Sequence, residues 1–449
     1  MPGKLTSFEE LMLCQHTTGF PCEFFIRLRF QGHLFPERFE QAVLDAASRH
    51  PLLAAGIVFR SNRPYWSSHA QLRSSVVWCE GEDSNAARAM PALDISRQGF
   101  AIWVQRDQGC SDVWLQMHHA CCDGLGGYQF VRDILLLYAH GAASLADATR
   151  EAVPALPRVD AKLLSRRGGF NMSSWEFLRM LPRQLVGVLG VREYLSRRPL
   201  PLLPHRPAAL ESVRDVYPTV LSNQFTLPVS QRLGRLAHSE SATSNELLCT
   251  VLFAALDAWR TRRGIQQERE WLRMMVPMNM RNQRDAAMPA ANVVSAVFLD
   301  RRGVDIADTK GLLASLHRQM ETIKNNRLGC TFLFSLAARR YAPGGIPQAL
   351  QGERCHATSV FSNVGRVLTD IDLPETEDGL QCGDVLLKST ELVPPLTPQT
   401  CVAFGATWFA NRLAITLHYD PRPIDRESAE ELMQDVVRRV VVAAERGEF

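Results

Sequence analysis

Runs in which apolar residues alternate with polar ones take turns along this chain with runs in which apolar residues recur every three or four positions. EFFIRLRF (Glu23–Phe30) alternates and predicts a strand, PERFEQAVLDAASRH (Pro36–His50) has the helical period, and AAGIVFR (Ala54–Arg60) predicts a second strand. FAIWVQRD (Phe100–Asp107) and DVWLQMHH (Asp112–His119) form a predicted hairpin across QGCS, and YQFVRDILLLYAHG predicts a helix closed by Gly141. The same texture returns after about Val220. SNELLCTVLFAALDAWRTRRG and TKGLLASLHRQMETIKNN predict helices, while LRMMVPMNMR, NVVSAVFLD and HATSVFSNVG predict strands. CVAFGATWFANR and LAITLHYD predict a second hairpin turning at Asn411, and SAEELMQDVVRRVVVAAERG closes the chain as an amphipathic helix. The fold class is therefore α/β, with two lobes around a cleft.

Between the two blocks, Lys162 to Arg206 holds nine Lys and Arg against two Glu and ends in the proline-rich RRPLPLLPHRP. This predicts a linker, giving segments 1–165, 166–215 and 216–449. Within it SWEFLRMLPRQLVGVLGVREYLSRR is expected to be a connecting helix packed on its own protein. The alternative is a basic amphipathic helix that sets Trp175, Phe177 and its leucines into an anionic lipid surface, a peripheral membrane contact.

Composition narrows the classes of function. The 449 residues exceed one ordinary core, and 46% apolar with 22% charged residues describes a folded chain. A formal charge of +3 lacks the clustered excess of nucleic-acid binders, so no nucleic-acid partner is expected. The N-terminus MPGKLTSFEELMLCQHTTGF lacks a basic segment followed by an apolar core, and no run of about 18 apolar residues occurs; the expected location is cytoplasmic. Eleven cysteines, an odd count without a CxxC pair, are expected to be free thiols.

The chemistry concentrates in VWLQMHHACCDGLGGYQF (Val113–Phe130), where His118, His119, Cys121, Cys122 and Asp123 follow a strand. A metal centre is disfavoured because neighbouring residues at a strand end point in opposite directions and no second ligand cluster completes a shell. A cysteine nucleophile would need a base such as His119 and an electropositive setting. GLGG lacks the third glycine of a dinucleotide-binding loop, Gln129 standing in its place. The remaining reading needs one histidine: His119 as general base near neutral pH, in a loop turned at Gly124 and anchored through Asp123.

His118, His119, Asp123 and Gly124 match HHxxxDG, and the chain thereby resembles the acyltransferase superfamily with the chloramphenicol-acetyltransferase-like fold, which includes condensation domains, wax ester synthases and alcohol acetyltransferases. ASRHPLLAAGI, PALDISRQGFAIWV, VPMNMR with ANVVSAVF, and FSNVG resemble further family segments in the expected order, so the resemblance spans nearly the whole chain. It implies two such lobes forming a pseudo-dimer with a central substrate tunnel. It also implies transfer of an acyl group from acyl-CoA or an acyl carrier protein to a hydroxyl or amine, with no resident cofactor and no covalent acyl-enzyme. The acceptor would be a small-molecule or lipid-like alcohol or amine. His119 would be the base; His118, Asp123, Gly124 and Arg281 would support it, Asp123 pairing with Arg281 across the lobes; Asn292 and Asn363 would face substrate or backbone. Trp408 and Thr407 are further cleft candidates, with a buried strand position expected for Trp408. CVAFGATWFANR shares only Phe-Gly with the DFGWG segment of plant acyltransferases, which points away from a plant-type enzyme. The alternative function is an inactive relative that binds an acyl ligand or carrier protein.

Overall fold

In the computed structural model, residues 3–61, 63–67, 75–80, 90–146, 156–168, 174–204, 216–265, 269–352, 354–398 and 400–448 are described. The N-terminal strands are β1 (Glu23–Gln31), β2 (Gly56–Arg60), β3 (Arg63–Ser67), β4 (Val76–Glu80), β5 (Phe100–Asp107) and β6 (Cys110–His118). β7 (Val220–Gln224), β8 (Trp271–Asn279), β9 (Val294–Arg302) and β10 (Ser359–Arg366) follow, then β11 (Glu375–Thr376), β12 (Gly379–Cys382), β13 (Val385–Val393), β14 (Val402–Phe409) and β15 (Arg412–Tyr419).

Alternation in β1 turns Phe24, Ile26, Leu28 and Phe30 into the N-terminal core, while Arg27 on the other face reaches Asp112 on β6 at 2.8 Å. The helix Pro36–Arg49 covers that core with Phe39, Ala42, Val43, Ala46 and Ala47, at the predicted three-and-four spacing. β1 pairs with β6, β6 with β5 through a two-residue turn at Gln108–Gly109, and β5 with β4 in parallel. AAGIVFR is a strand as expected, but it joins a separate two-stranded sheet with β3.

The second sheet runs β7-β15-β14-β10-β8-β9. β14 and β15 form the predicted hairpin, with Ala410 and Asn411 both at positive φ as a tight two-residue turn requires. The helices Ser244–Arg262 and Arg426–Arg446 close the core on this sheet.

Three features depart from the sequence reading. β11, β12 and β13 lie in the first sheet, ordered β11-β12-β13-β1-β6-β5-β4, so the segments 1–165, 166–215 and 216–449 do not coincide with the two sheets. Sheet membership follows strand pairing, and β13 pairs with β1 over most of its length. The sheets meet where β13 crosses β14 and β15. Thr416 Oγ1 donates to the Leu392 carbonyl at 2.5 Å, and a Cβ on Gly405 would lie 2.0 Å from that oxygen. Second, the helix after β6 runs from Gly124 to Ala146 and does not end at Gly141. A Cβ there would meet Arg38 Cγ at 2.9 Å, so Gly141 serves helix packing instead of capping. Third, the middle segment is helical over Ser174–Met180 and Gln184–Ser196, yet most of its large apolar side chains are exposed, not packed on the protein. The side chain of Phe177 lies outside the described residues.

Candidate active site

The loop between β6 and the Gly124–Ala146 helix is held from both lobes. On the N-terminal side, the His119 amide donates to the Cys22 carbonyl at 2.8 Å, which sets the loop beside the start of β1. From the other lobe, Asn292 and Val293, just ahead of β9, grip it directly, and the two residues before them brace its surroundings. The Ala290 amide donates to His50 Nδ1 at 2.9 Å, and the Ala291 carbonyl accepts from Arg281 Nη2 at 2.8 Å. Asn292 Nδ2 donates to the carbonyls of His119 (2.8 Å) and Ala120 (2.9 Å), and the Val293 amide donates to Asp123 Oδ2 at 2.8 Å.

Asp123 is almost fully buried and does not touch His119. Its Oδ2 also accepts from Arg281 Nη1 at 2.8 Å, and its Oδ1 accepts the Gly126 amide at 2.9 Å, inside the first turn of the helix. One carboxylate thus joins the helix start, β9 and the Arg281 loop by charge-assisted hydrogen bonds. The glycines of GLGG permit this approach. A Cβ on Gly124 would meet Val364 Cγ1 at 2.9 Å, and one on Gly126 would lie 3.0 Å from the Ala291 backbone. One on Gly127 would meet Ile26 Cδ1 at 2.9 Å.

His118 is fully buried. Its Nδ1 accepts the Ala120 amide at 3.1 Å, which leaves the proton of the neutral ring on Nε2, 3.1 Å from His16 Nδ1. Burial, with His16 and His119 nearby, holds its pKa well below the usual imidazole range. His118 is a neutral brace for the loop.

The His119 ring is partly exposed, flanked edge-on by Phe24 (centroids 5.4 Å apart) and Phe8 (6.0 Å). Burial lowers its pKa from the ordinary value; its own carbonyl, Asp123 and the Asn292 side chain push the other way without reversing the shift. At neutral pH the ring is uncharged and basic. Its Nδ1 and Asn292 Oδ1 are both buried without a hydrogen-bond partner among the described residues.

The five adjacent polar side chains diverge. His118 faces His16, and a Cβ on Gly99 would lie 2.0 Å from Cys121 Sγ. Cys122 Sγ lies 3.8 Å from Met117 Sδ, while Asp123 faces Arg281. Burial raises both thiols well above their ordinary pKa, so neither is a ready thiolate. Phe8, His16 and Phe24 were not legible as site residues, since they come from different elements and no motif links them to the loop.

Asn363 sits apart from His119's immediate contacts. Its Oδ1 accepts the Gly365 amide at 2.9 Å and its Nδ2 reaches Asn245 Oδ1 at 3.4 Å, fixing a turn with Gly365 at φ +69° that sets Val364 against Gly124. With Trp408, Arg366, Arg235 and His238 it lines a cavity of about 1010 Å³. Trp408 is thus a buried strand residue at a cavity wall, and Thr407 is wholly buried away from that cavity.

The two-lobed arrangement is the pseudo-dimer fold of condensation domains and chloramphenicol-acetyltransferase-like acyltransferases. The first condensation domain of the calcium-dependent antibiotic synthetase, solved with a substrate analogue, superimposes with a TM-score of 0.68 at 16% identity, covering 100% of this chain and 97% of that one. The starter condensation domain of rhizomide synthetase, in complex with C8-CoA and Leu-SNAC, gives 0.65 at 13% identity, covering 99% and 94%. Trichothecene 15-O-acetyltransferase from Fusarium sporotrichioides gives 0.65 at 12% identity, covering 98% and 95%. No protein-family model and no curated protein matches the chain by sequence.

Proposed function

We propose that this protein is an acyltransferase that moves an acyl group from a thioester, acyl-CoA or an acyl carrier protein, to a hydroxyl or amine, with His119 as general base. The observation that carries this reading is a neutral, partly exposed imidazole whose loop is clamped by Asn292 and the Asp123–Arg281 pair from the facing lobe. Similarity in fold to an O-acetyltransferase and to a condensation domain solved with C8-CoA supports it.

In this reading the acceptor and the thioester enter a tunnel between the lobes. His119 Nε2 takes the proton of the acceptor as its oxygen or nitrogen attacks the thioester carbonyl. The tetrahedral adduct then collapses with loss of thiolate, which takes that proton back from the imidazolium. One C–S bond breaks, one C–O or C–N bond forms, and no acyl group resides on the protein. Base catalysis of this kind supplies ~10²- to 10⁴-fold, so most of the remaining rate comes from holding both substrates at attack distance.

Thiol release from a panel of acyl-CoAs and acyl-loaded carrier proteins, with and without mixed alcohols and amines, tests the proposal. Release that needs both donor and acceptor, with the ester or amide found in the products, is expected. Release without acceptor, accompanied by an acylated protein, would refute direct transfer. No release with any donor would favour a binding role.

A further inference from the structure

Eight of the thirteen exposed large apolar side chains among the described residues lie between Trp175 and Leu195. Within that segment Leu178, Leu181, Leu185, Val188 and Leu189 recur at intervals of three and four and form one exposed stripe. The opposite face, which meets the protein, carries two large apolar side chains, Met180, which is buried, and Tyr194, whose ring lies 4.7 Å from that of Phe298; the positions between them are small or polar. Gly187 is buried, and a Cβ on it would lie 2.2 Å from Thr331 Oγ1. Gln184 donates to the Asn326 carbonyl at 3.1 Å and accepts from Thr331 Oγ1 at 2.6 Å, and the Tyr194 hydroxyl lies 2.9 Å from His356 Nδ1. Met180, Tyr194, a glycine and a few hydrogen bonds dock the segment, while all five of its leucines face outward.

Charge along the same segment identifies the occupant of that stripe. Arg179, Arg192 and Arg198 are exposed on or beside it, and Arg183, also exposed, reaches the Asn325 carbonyl at 3.4 Å on the docking side. Both acidic residues are already paired, Glu193 with Arg197 at 2.9 Å and Glu176 with Arg284 at 3.8 Å, so the fringe of the stripe is cationic. No described helix is long and apolar enough to cross a membrane.

We propose that the Ser174–Ser196 segment is an interfacial anchor lying flat on an anionic lipid bilayer, its leucines at the acyl boundary and its arginines among the headgroups. Trp175, 65% exposed at one end of the stripe, is an amphipathic ring suited to the headgroup level. A second copy of the chain is a poorer occupant, because a self-complementary contact would set the stripe's arginines near their own counterparts. The proposal is independent of the acyl-transfer reading.

The test is sedimentation of the full chain with mixed phosphatidylglycerol and phosphatidylcholine vesicles, against vesicles of phosphatidylcholine alone. Binding to the anionic vesicles at least ~10-fold above the neutral ones is expected from the stripe's arginines at the surface. Leu185→Glu with Leu189→Glu lies on the solvent side, leaves thermal unfolding unchanged, and lowers that binding at least ~10-fold. Replacing Arg179 and Arg192 by Gln lowers the preference for anionic vesicles and leaves the stripe intact. Parent protein that stays in the supernatant, or glutamate variants that sediment like the parent, would overturn the proposal. So would a parent that elutes as a dimer and is converted to monomer by the same two glutamates, since that would assign the stripe to self-association.

Discussion

Replacing Asp123 by Asn changes one atom in kind and leaves the volume of the site the same. The aspartate offers Oδ2 to the Arg281 guanidinium and the Val293 amide, each at 2.8 Å, and Oδ1 to the Gly126 amide at 2.9 Å. An asparagine supplies one acceptor oxygen, so either the Gly126 amide or the pair of donors from the other lobe meets an NH2 group. The Gly126 bond is the cheaper to lose, but the arginine then still faces a neutral partner. Losing a charge-assisted bond costs about 1.5 to 3 kcal/mol, and a buried amide left unpaired costs about 1 to 3 kcal/mol. The sum agrees with the roughly 3 to 5 kcal/mol typical for breaking a buried ion pair. Urea unfolding of Asp123→Asn is therefore expected to show a loss of that size, with acyl transfer falling at least ~10-fold because the loop that carries His119 is released. A loss below ~1 kcal/mol with full activity would refute the view that this carboxylate ties the loop to the second lobe.

Further expectations follow from neighbouring groups. Asn292→Ala removes the donor to two buried carbonyls and should cost about 1 to 3 kcal/mol in urea unfolding while lowering kcat more than it raises KM; an unchanged kcat would remove Asn292 from the positioning of His119. Burial raises the Glu23 carboxyl from 4.5 to about 7, despite hydrogen bonds from Gln116 and the Leu93 amide. The folded state therefore favours its protonated form, so its stabilising contribution is complete below the ordinary carboxyl range and lost as pH rises through about 7. Glu23→Gln should flatten that slope, worth at most roughly 3 kcal/mol, in unfolding measured across this range, and an unaltered slope would contradict the assignment. Cys122→Ala should keep acyl transfer within about threefold, because a thiol raised this far by burial is not a nucleophile; abolished transfer in a folded variant would reopen the cysteine mechanism.

Local pattern made much of this fold legible. β1 and the Pro36–Arg49 helix follow from their periods, and both hairpins lie where their turns were expected, because alternation and turn chemistry act over a few residues. The β11–β13 exchange was hidden because pairing Val393 with Phe25 is a contact between distant parts of the chain that neither partner's local sequence announces. Gly141 misled for a related reason: a glycine beside Arg38 of another helix looks the same in sequence as a helix terminator. At the candidate site, His118, His119, Asp123 and Gly124 stood out as a motif, whereas the partners of the histidines did not. Phe8, His16 and Phe24 reach the loop from a helix, the residue just after it and a strand, and composition alone marks none of them. The outward face of Ser174–Ser196 was also ambiguous in sequence, since period and charge describe an amphipathic helix but do not say which side meets the protein.

The most direct test of His119 as the base is the rate of acyl transfer by His119→Ala and by the parent, at saturating donor and acceptor, across pH. Transfer needs the neutral ring and burial lowers its pKa, so the parent should hold full activity through neutral pH and lose it only below the ordinary imidazole value of 6.5. A folded His119→Ala protein is expected to be ~10²- to 10⁴-fold slower and to lack that acidic limb. A variant that transfers acyl groups within about threefold of the parent, with the same pH profile, would contradict the account.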